Sequence, residues 1–118
     1  MARILILEDD PDQSTLMGDA LQADGHECVF AATVEEAMRV LNSRPIDLAL
    51  VDMNLPGRPG LEAVSYIRNT PSLLHIPVIV VTANPQFHRQ ADQVGTDLFL
   101  VKPLNLKELR VLVQRLSG

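Results

Sequence analysis

The sequence predicts a doubly wound α/β domain, a five-stranded parallel sheet with five helices on its two faces. Three observations predict it. Four short apolar runs, Ile4–Leu7, Ile46–Val51, Pro77–Val81 and Leu98–Val101, do not alternate apolar with polar residues, which is how strands buried on both faces read. Stretches with apolar residues at helical spacing lie between them, several opened or closed by capping residues. The alternation recurs along 118 residues, which is the size of one domain and calls for helical, right-handed crossovers between parallel strands.

The elements follow in order. After Ile4–Leu7, Asp10 can cap a helix with Pro11 at its first position. Leu16, Met17, Ala20 and Leu21 form its inward stripe, and Gly25 can terminate it. Glu27–Ala31 reads as a weaker strand. Thr33 can cap the second helix, with Glu36 three residues later as in a capping box; Val34, Ala37, Met38 and Leu41 are its apolar face. The run Ile46–Val51 is followed by a helix marked by Leu61, Val64 and Ile67. After Pro77–Val81, Asn84 before Pro85 opens a fourth helix, with Phe87, Ala91 and Val94 facing inward and Gly95 ending it. Leu106, Leu109, Val113 and Leu116 stripe the last helix, and Pro103 forces an irregular entry to it. Residues 1–118 read as one domain, with no linker and no output domain expected in the chain.

Composition narrows the function. A chain 47% hydrophobic can build a real core, and its charges form no long run of one sign, so disorder is excluded. The net charge of −5 argues against a direct grip on nucleic acid, which needs a basic surface. Cys28 is the sole cysteine; no disulfide can form within the chain, and Cys28 reads as a small buried apolar residue. The first apolar run is four residues long and meets Glu8 and Asp9 at once, so it is neither a signal peptide nor a membrane span. A cytoplasmic protein is expected. His26, His75 and His88 stand in no ligand spacing, and Lys107, Arg110 and Arg115 read as a solvated helix face.

The chemistry lies at the strand ends. In a doubly wound sheet all carboxyl ends share one edge, where ligands bind. That edge collects Glu8 and Asp9 after the first strand, Asp52 at the end of the third, Thr82 at the fourth and Lys102 at the fifth. Each alone has a bland reading as turn residue, cap, strand former or surface charge, and Asp10 is assigned one, as a helix cap pointing away. Together they differ. Three carboxylates in one cleft repel unless a cation lies among them, and a few hard oxygen ligands favour Mg²⁺. An aspartate kept ionised by the metal and Lys102 is equipped to attack a phosphoryl group.

The motifs "ILILEDD", "LALVDMNLPG", "PVIVVTA" and "LFLVKP" resemble those of bacterial response-regulator receiver domains, from Arg3 to the last helix. The resemblance implies a flavodoxin-like strand order 2-1-3-4-5 and a Mg²⁺-dependent switch, with Mn²⁺ as a substitute. It implies Asp52 as phosphoacceptor, and Asp9, Asp52 and the backbone carbonyl of Asn54 as metal ligands, with Glu8 acting through a water. Thr82 would bond a phosphoryl oxygen, Lys102 would pair with the phosphoryl group, Phe99 would swing inward with Thr82, and the Lys102–Pro103 bond would be cis. The donor would be a sensor histidine kinase or a histidine phosphotransfer protein, and the readout a partner on the face of the fourth helix, fifth strand and fifth helix. Such a chain is not an enzyme beyond catalysing its own phosphorylation and dephosphorylation. Three departures stand out: Gly95-Thr96-Asp97 where the family commonly has Gly-Ala and a variable residue, Phe99 without a tyrosine hydroxyl, and Arg58-Pro59 before Gly60. A phosphatase of the haloacid-dehalogenase type is a second reading, against which Asn54 stands two residues after Asp52 where that class needs an acid. A degenerate receiver is a third, against which the intact five-residue set stands.

Overall fold

In the computed structural model, which describes residues 2–117, β1 (Arg3–Leu7), β2 (Glu27–Ala31), β3 (Leu48–Asp52), β4 (Val78–Thr82) and β5 (Leu98–Val101) form one sheet. All neighbours are parallel, in the order β2-β1-β3-β4-β5. The crossovers are α1 (Pro11–Ala23), α2 (Val34–Ser43), α3 (Leu61–Arg68) and α4 (His88–Val94), and α5 (Leu106–Ser117) closes the chain's fold. No helix of the described residues is long and apolar enough to cross a membrane.

Alternation along the strands divides the core in two. Ile4, Ile6, Leu48, Leu50, Ile79 and Val81 face α1 and α5. Leu5, Leu7, Ala49, Val51, Val78 and Val80 face the layer of α2, α3 and α4. Every residue of β3 and β4 is buried, whereas β2 and β5 at the edges are partly exposed. This is the physical reason the central runs read as unbroken apolar stretches and β2 reads weakly.

The caps are local chemistry. Asp10 accepts from the Asp12 N–H at 2.9 Å, and Thr33 from the Glu36 N–H at 3.1 Å while Glu36 reaches back to the Ala32 N–H at 3.3 Å. The Asn105 side chain accepts from the Glu108 N–H at 3.0 Å, so the start of α5 has a cap that the Asn105-x-x-Glu108 spacing carried and attention to Pro103 hid.

Four expectations need correction. Leu16 does not face inward; it is 53% exposed, because α1 buries the narrower stripe of Met17, Gly18 and Leu21. Gly18 belongs to that stripe because a Cβ there would stand 2.6 Å from the Phe30 ring. Asn84 caps nothing with its side chain: Pro85–Phe87 form a 3-10 turn and α4 begins only at His88. Ile46 and Pro77 precede their strands. Cys28 is half-buried, its thiol pushed up to about 11 by burial and by the neighbouring Glu27 charge.

Two glycines after β3 differ in what they require. Gly57 has φ +79° and nothing within 4 Å of a built Cβ, so its need is conformational. Gly60 has φ −57°, which any residue adopts, but a Cβ there would stand 2.0 Å from the Asp52 carbonyl oxygen. Gly60→Ala is therefore expected to cost about 2–4 kcal/mol in urea unfolding, and Gly57→Ala about 1 kcal/mol; equal losses would contradict the steric account. Cys28 is expected to alkylate about a hundredfold more slowly at neutral to mildly basic pH than a free thiol, in proportion to its thiolate fraction; a rate matching that of free cysteine would contradict the burial assigned to it.

Candidate functional site

The sheet ladder runs one residue past the strands at the carboxyl edge. The Glu8 N–H donates to the Ala31 carbonyl at 3.0 Å, Met53 to Val81 at 3.2 Å and Lys102 to Thr82 at 2.8 Å. Strand alternation then assigns the side chains. Glu8 follows Ile4 and Ile6, Asp52 follows Leu48 and Leu50, and Lys102 follows Leu98 and Leu100, so all three continue the α1/α5 side of the sheet.

There they meet. The Lys102 ammonium lies 3.0 Å from Glu8 Oε1 and 3.4 Å from Asp52 Oδ2, with the Glu8 and Asp52 side chains 1% and 5% exposed. The second Glu8 oxygen accepts from the Asp10 N–H at 3.2 Å, and Asp52 Oδ1 accepts from the Asn54 N–H at 3.1 Å. Asp9 is exposed, yet Glu8, Asp9 and Asp52 each offer a carboxylate oxygen within 4.8 Å of the others. The Lys102–Pro103 peptide is cis.

Burial, and then the hydrogen bond shared with Asp52, push the Glu8 carboxyl above the ordinary glutamate range. Burial pulls the Lys102 ammonium down, but its hydrogen bond to Glu8 and the charges of Asp52 and Glu8 outweigh that and hold it above its usual value. One ammonium faces three carboxylates. That donor set, hard oxygens held close with two of them deeply buried, fits a small divalent cation such as Mg²⁺.

Thr82 is fully buried and its hydroxyl accepts from the Asn84 N–H at 3.1 Å. Its position continues the Val78–Val80 side of β4, the face toward α4. Phe99 pairs with Val80 in register and stacks on His88, ring centroids 4.7 Å apart and 10° from parallel. Phe99 is thus outside the carboxylate cluster, on the other side of the sheet. Asn54 is exposed at the start of the loop after β3.

Several contributors escaped sequence reasoning. Gly60 admits the Asp52 carbonyl, as above. Arg58 lies 2.8 Å from Glu62 and 3.6 Å from Glu35, tying the loop after β3 to α2 and α3; these side chains are at least 40% exposed, so the bridges orient more than they stabilise. Thr96 donates its hydroxyl to the Ala91 carbonyl at 2.8 Å, satisfying the last turn of α4. No single residue signals these contacts, because each depends on a partner from another element or turn.

The crowding has a measurable sign. A Glu8 carboxyl raised in the folded state binds more protons there than in the unfolded chain, so its contribution is full below the unfolded value and is lost as pH rises through the folded one. Removing one charge should relieve the same strain. In chelator, Asp52→Asn is expected to melt about 2–5 °C above the natural protein, and excess Mg²⁺ to raise the natural protein while leaving the variant nearly unmoved. A variant that melts lower in chelator would contradict the electrostatic account.

Comparison with known proteins agrees with this geometry. Residues 4–114 match the family model of the response regulator receiver domain. The phosphate regulon transcriptional regulatory protein PhoB of Pseudomonas aeruginosa is 32% identical over 108 residues, covering 90% of this chain and 47% of the regulator, so the chain spans about half the length of that relative. The response regulator protein TrrA of Thermotoga maritima, solved in complex with Mg²⁺ and BeF, has a TM-score of 0.88 at 32% identity, over 98% of this chain and 99% of its own. The receiver domain of a sensor histidine kinase from Pseudomonas aeruginosa, solved with a magnesium ion coordinated in its active-site cleft, has a TM-score of 0.90 at 31% identity, over 99% of this chain and 98% of its own. With its sheet order, its acidic edge and a family match over nearly its whole length, the chain belongs to the response regulator receiver domains, the signalling switches of two-component systems.

Proposed function

We propose that this receiver takes a phosphoryl group on Asp52 from a phosphohistidine, carried by a sensor histidine kinase or a histidine phosphotransfer protein, and passes the change to a partner through α4, β5 and α5. The observation that carries the reading is the Asp52 carboxylate itself. It is 5% exposed, at the end of a buried strand, with one oxygen on the Asn54 N–H and the other facing Lys102. Such a group is costly to desolvate and has no packing role; a reaction is the reason to keep it there.

In the transfer an Asp52 oxygen forms the new P–O bond as the N–P bond of the donor breaks. The electron pair returns to the imidazole, which then takes a proton. Lys102 leaves its two-carboxylate position to follow the negative charge that spreads over the phosphoryl oxygens. Asp9, Asp52 and the Asn54 carbonyl, with Glu8 through a water, would hold Mg²⁺, or Mn²⁺ in its place, which would supply positive charge for the same oxygens. The buried Thr82 hydroxyl has a proton to donate to a phosphoryl oxygen, and Phe99, on the same side of the sheet as Thr82, follows its movement. The bond between an acyl oxygen and phosphorus is labile, so hydrolysis ends the signal and the chain turns over nothing but its own modification. In this reading the domain acts in the cytoplasm and contacts no nucleic acid itself.

Intact-mass measurement after incubation with acetyl phosphate or phosphoramidate tests the reading. One added phosphoryl group is expected, dependent on Mg²⁺ and absent in Asp52→Asn. An adduct that persists in Asp52→Asn would place the acceptor elsewhere. Neither an adduct nor turnover of the donor would make the chain a partner-binding receiver that is not phosphorylated.

A further inference from the structure

The strand that carries Lys102 does not set its own register. Leu98-Phe99-Leu100-Val101 is apolar at every position, so no alternation assigns its side chains to one side of the sheet or the other. The strand is short, lies at the sheet edge and has only β4 as a neighbour. Lys102 follows it directly. A slip of one residue would turn that ammonium to the α4 side, away from Glu8 and Asp52.

The amino end of β5 is fixed by side chains from outside the strand. Asp97, the residue before it, donates its N–H to the Val78 carbonyl at 2.9 Å and accepts from the Val78 N–H with Oδ2 at 2.7 Å. Both bonds fall on the first residue of β4. The same Asp97 oxygen accepts from Arg68 Nη2 at 2.7 Å. Arg68, the last residue of α3, also donates Nη1 to the Ile76 carbonyl at 2.8 Å and Nε to the Gly95 carbonyl at 2.7 Å. One guanidinium therefore joins the chain before β4, the chain before β5 and the carboxylate that bridges the two strands. The Arg68 side chain is 19% exposed, and charge-assisted bonds from a planar fork fix geometry as well as contribute energy. A Cβ on Gly95 would stand 3.1–3.3 Å from the Arg68 stem, so the fork reaches that carbonyl where residue 95 has no side chain. At the carboxyl end the Lys102 N–H donates to the Thr82 carbonyl at 2.8 Å, a backbone bond that any residue at that place could make.

We infer that Arg68 and Asp97 are the register lock of β5, and through it the positioning pair that puts Lys102 on the side of Glu8 and Asp52. This rests on the reading of Asp52 as phosphoacceptor and Lys102 as the partner of its phosphoryl group. Neither residue touches the reacting atoms. Arg68 holds the Asp97 carboxylate on Val78, the paired Val78 sets the height of β5 against β4, and that height decides where the lysine emerges.

Two measurements on the full chain test the lock. The first is amide hydrogen exchange without ligand, comparing the Lys102 N–H with the Met53 N–H, which donates to the Val81 carbonyl on the other side of β4. Arg68→Met keeps the stem and removes the fork, and should lower the protection of Lys102 relative to Met53 by about tenfold; a uniform loss of stability would move both amides together. Asp97→Asn keeps one oxygen for the Val78 N–H and should lower the ratio less. The second is the rate of phosphorylation by phosphoramidate in saturating Mg²⁺, followed by intact mass. Arg68→Met should slow it by about tenfold, while Mg²⁺, titrated by the amide shifts of Asp9 and Asn54, binds no more weakly than to the natural protein. Leu41→Val, a core change in α2, should keep the natural rate. An exchange ratio indifferent to Arg68→Met, an unchanged rate, or a loss of rate that Leu41→Val shares would each overturn the positioning role. If the natural protein takes no phosphoryl group, the Asp52 reading fails, and the exchange ratio alone decides whether Arg68 and Asp97 lock the strand.

Discussion

The structure depends on keeping two carboxylates, Glu8 and Asp52, almost wholly out of water with a single ammonium between them. Removing charge from water costs several kcal/mol per ion even after relaxation. Lys102 offsets part of that cost, and the Asp10 and Asn54 N–H groups offset more by occupying the remaining oxygens. Asp9, at the exposed rim, adds a third acid that no described cation reaches within salt-bridge distance. The three carboxylates therefore outnumber the one ammonium by two charges, which makes the site receptive to a divalent cation and sensitive to any group that draws Lys102 away.

The rest of the fold keeps that arrangement from relaxing. The carboxylates could lower their energy by moving toward solvent, but β1, β3 and β4 are packed on both sides by helices and their ladder extends past the strand ends. Gly60 lets α3 start against the Asp52 carbonyl, so the backbone that carries Asp52 is clamped between its sheet neighbours and a helix. The face toward α4 is looser: α4 has seven residues, its first turn has no side-chain cap, and β5 is partly exposed. A rigid site beside a short, lightly anchored helix suits a domain whose chemistry is local and whose output is a change of surface.

Much of this was legible in the sequence for a definite reason. Strands buried on both faces carry an unbroken apolar signal, and in a doubly wound sheet their carboxyl ends share one edge, so the placement of Glu8, Asp9, Asp52, Thr82 and Lys102 follows from topology alone. What stayed hidden depended on distance and partners. Lys102 approaches Glu8 more closely than Asp52, across 94 residues of sequence, and nothing in either residue's surroundings announces it. Leu16 looked inward because it is apolar at helical spacing, but the stripe that α1 buries is Met17, Gly18 and Leu21, and Leu16 lies outside it. The roles of Arg68 and Asp97 stayed hidden because the groups they bond, two backbone carbonyls that accept and one backbone N–H that donates, carry no side-chain signal.

The central claim is that Glu8 and Asp52 are strained by proximity and burial and relieved by a cation. The most direct measurement is a pH titration of the Glu8 carboxyl carbon by NMR, in chelator and then in Mg²⁺. The account expects a midpoint above that of an ordinary glutamate in chelator, and a clear downward displacement when Mg²⁺ is added. A midpoint in the ordinary range that Mg²⁺ leaves unmoved would show that the cluster is not strained and that the electrostatic basis of the site is wrong.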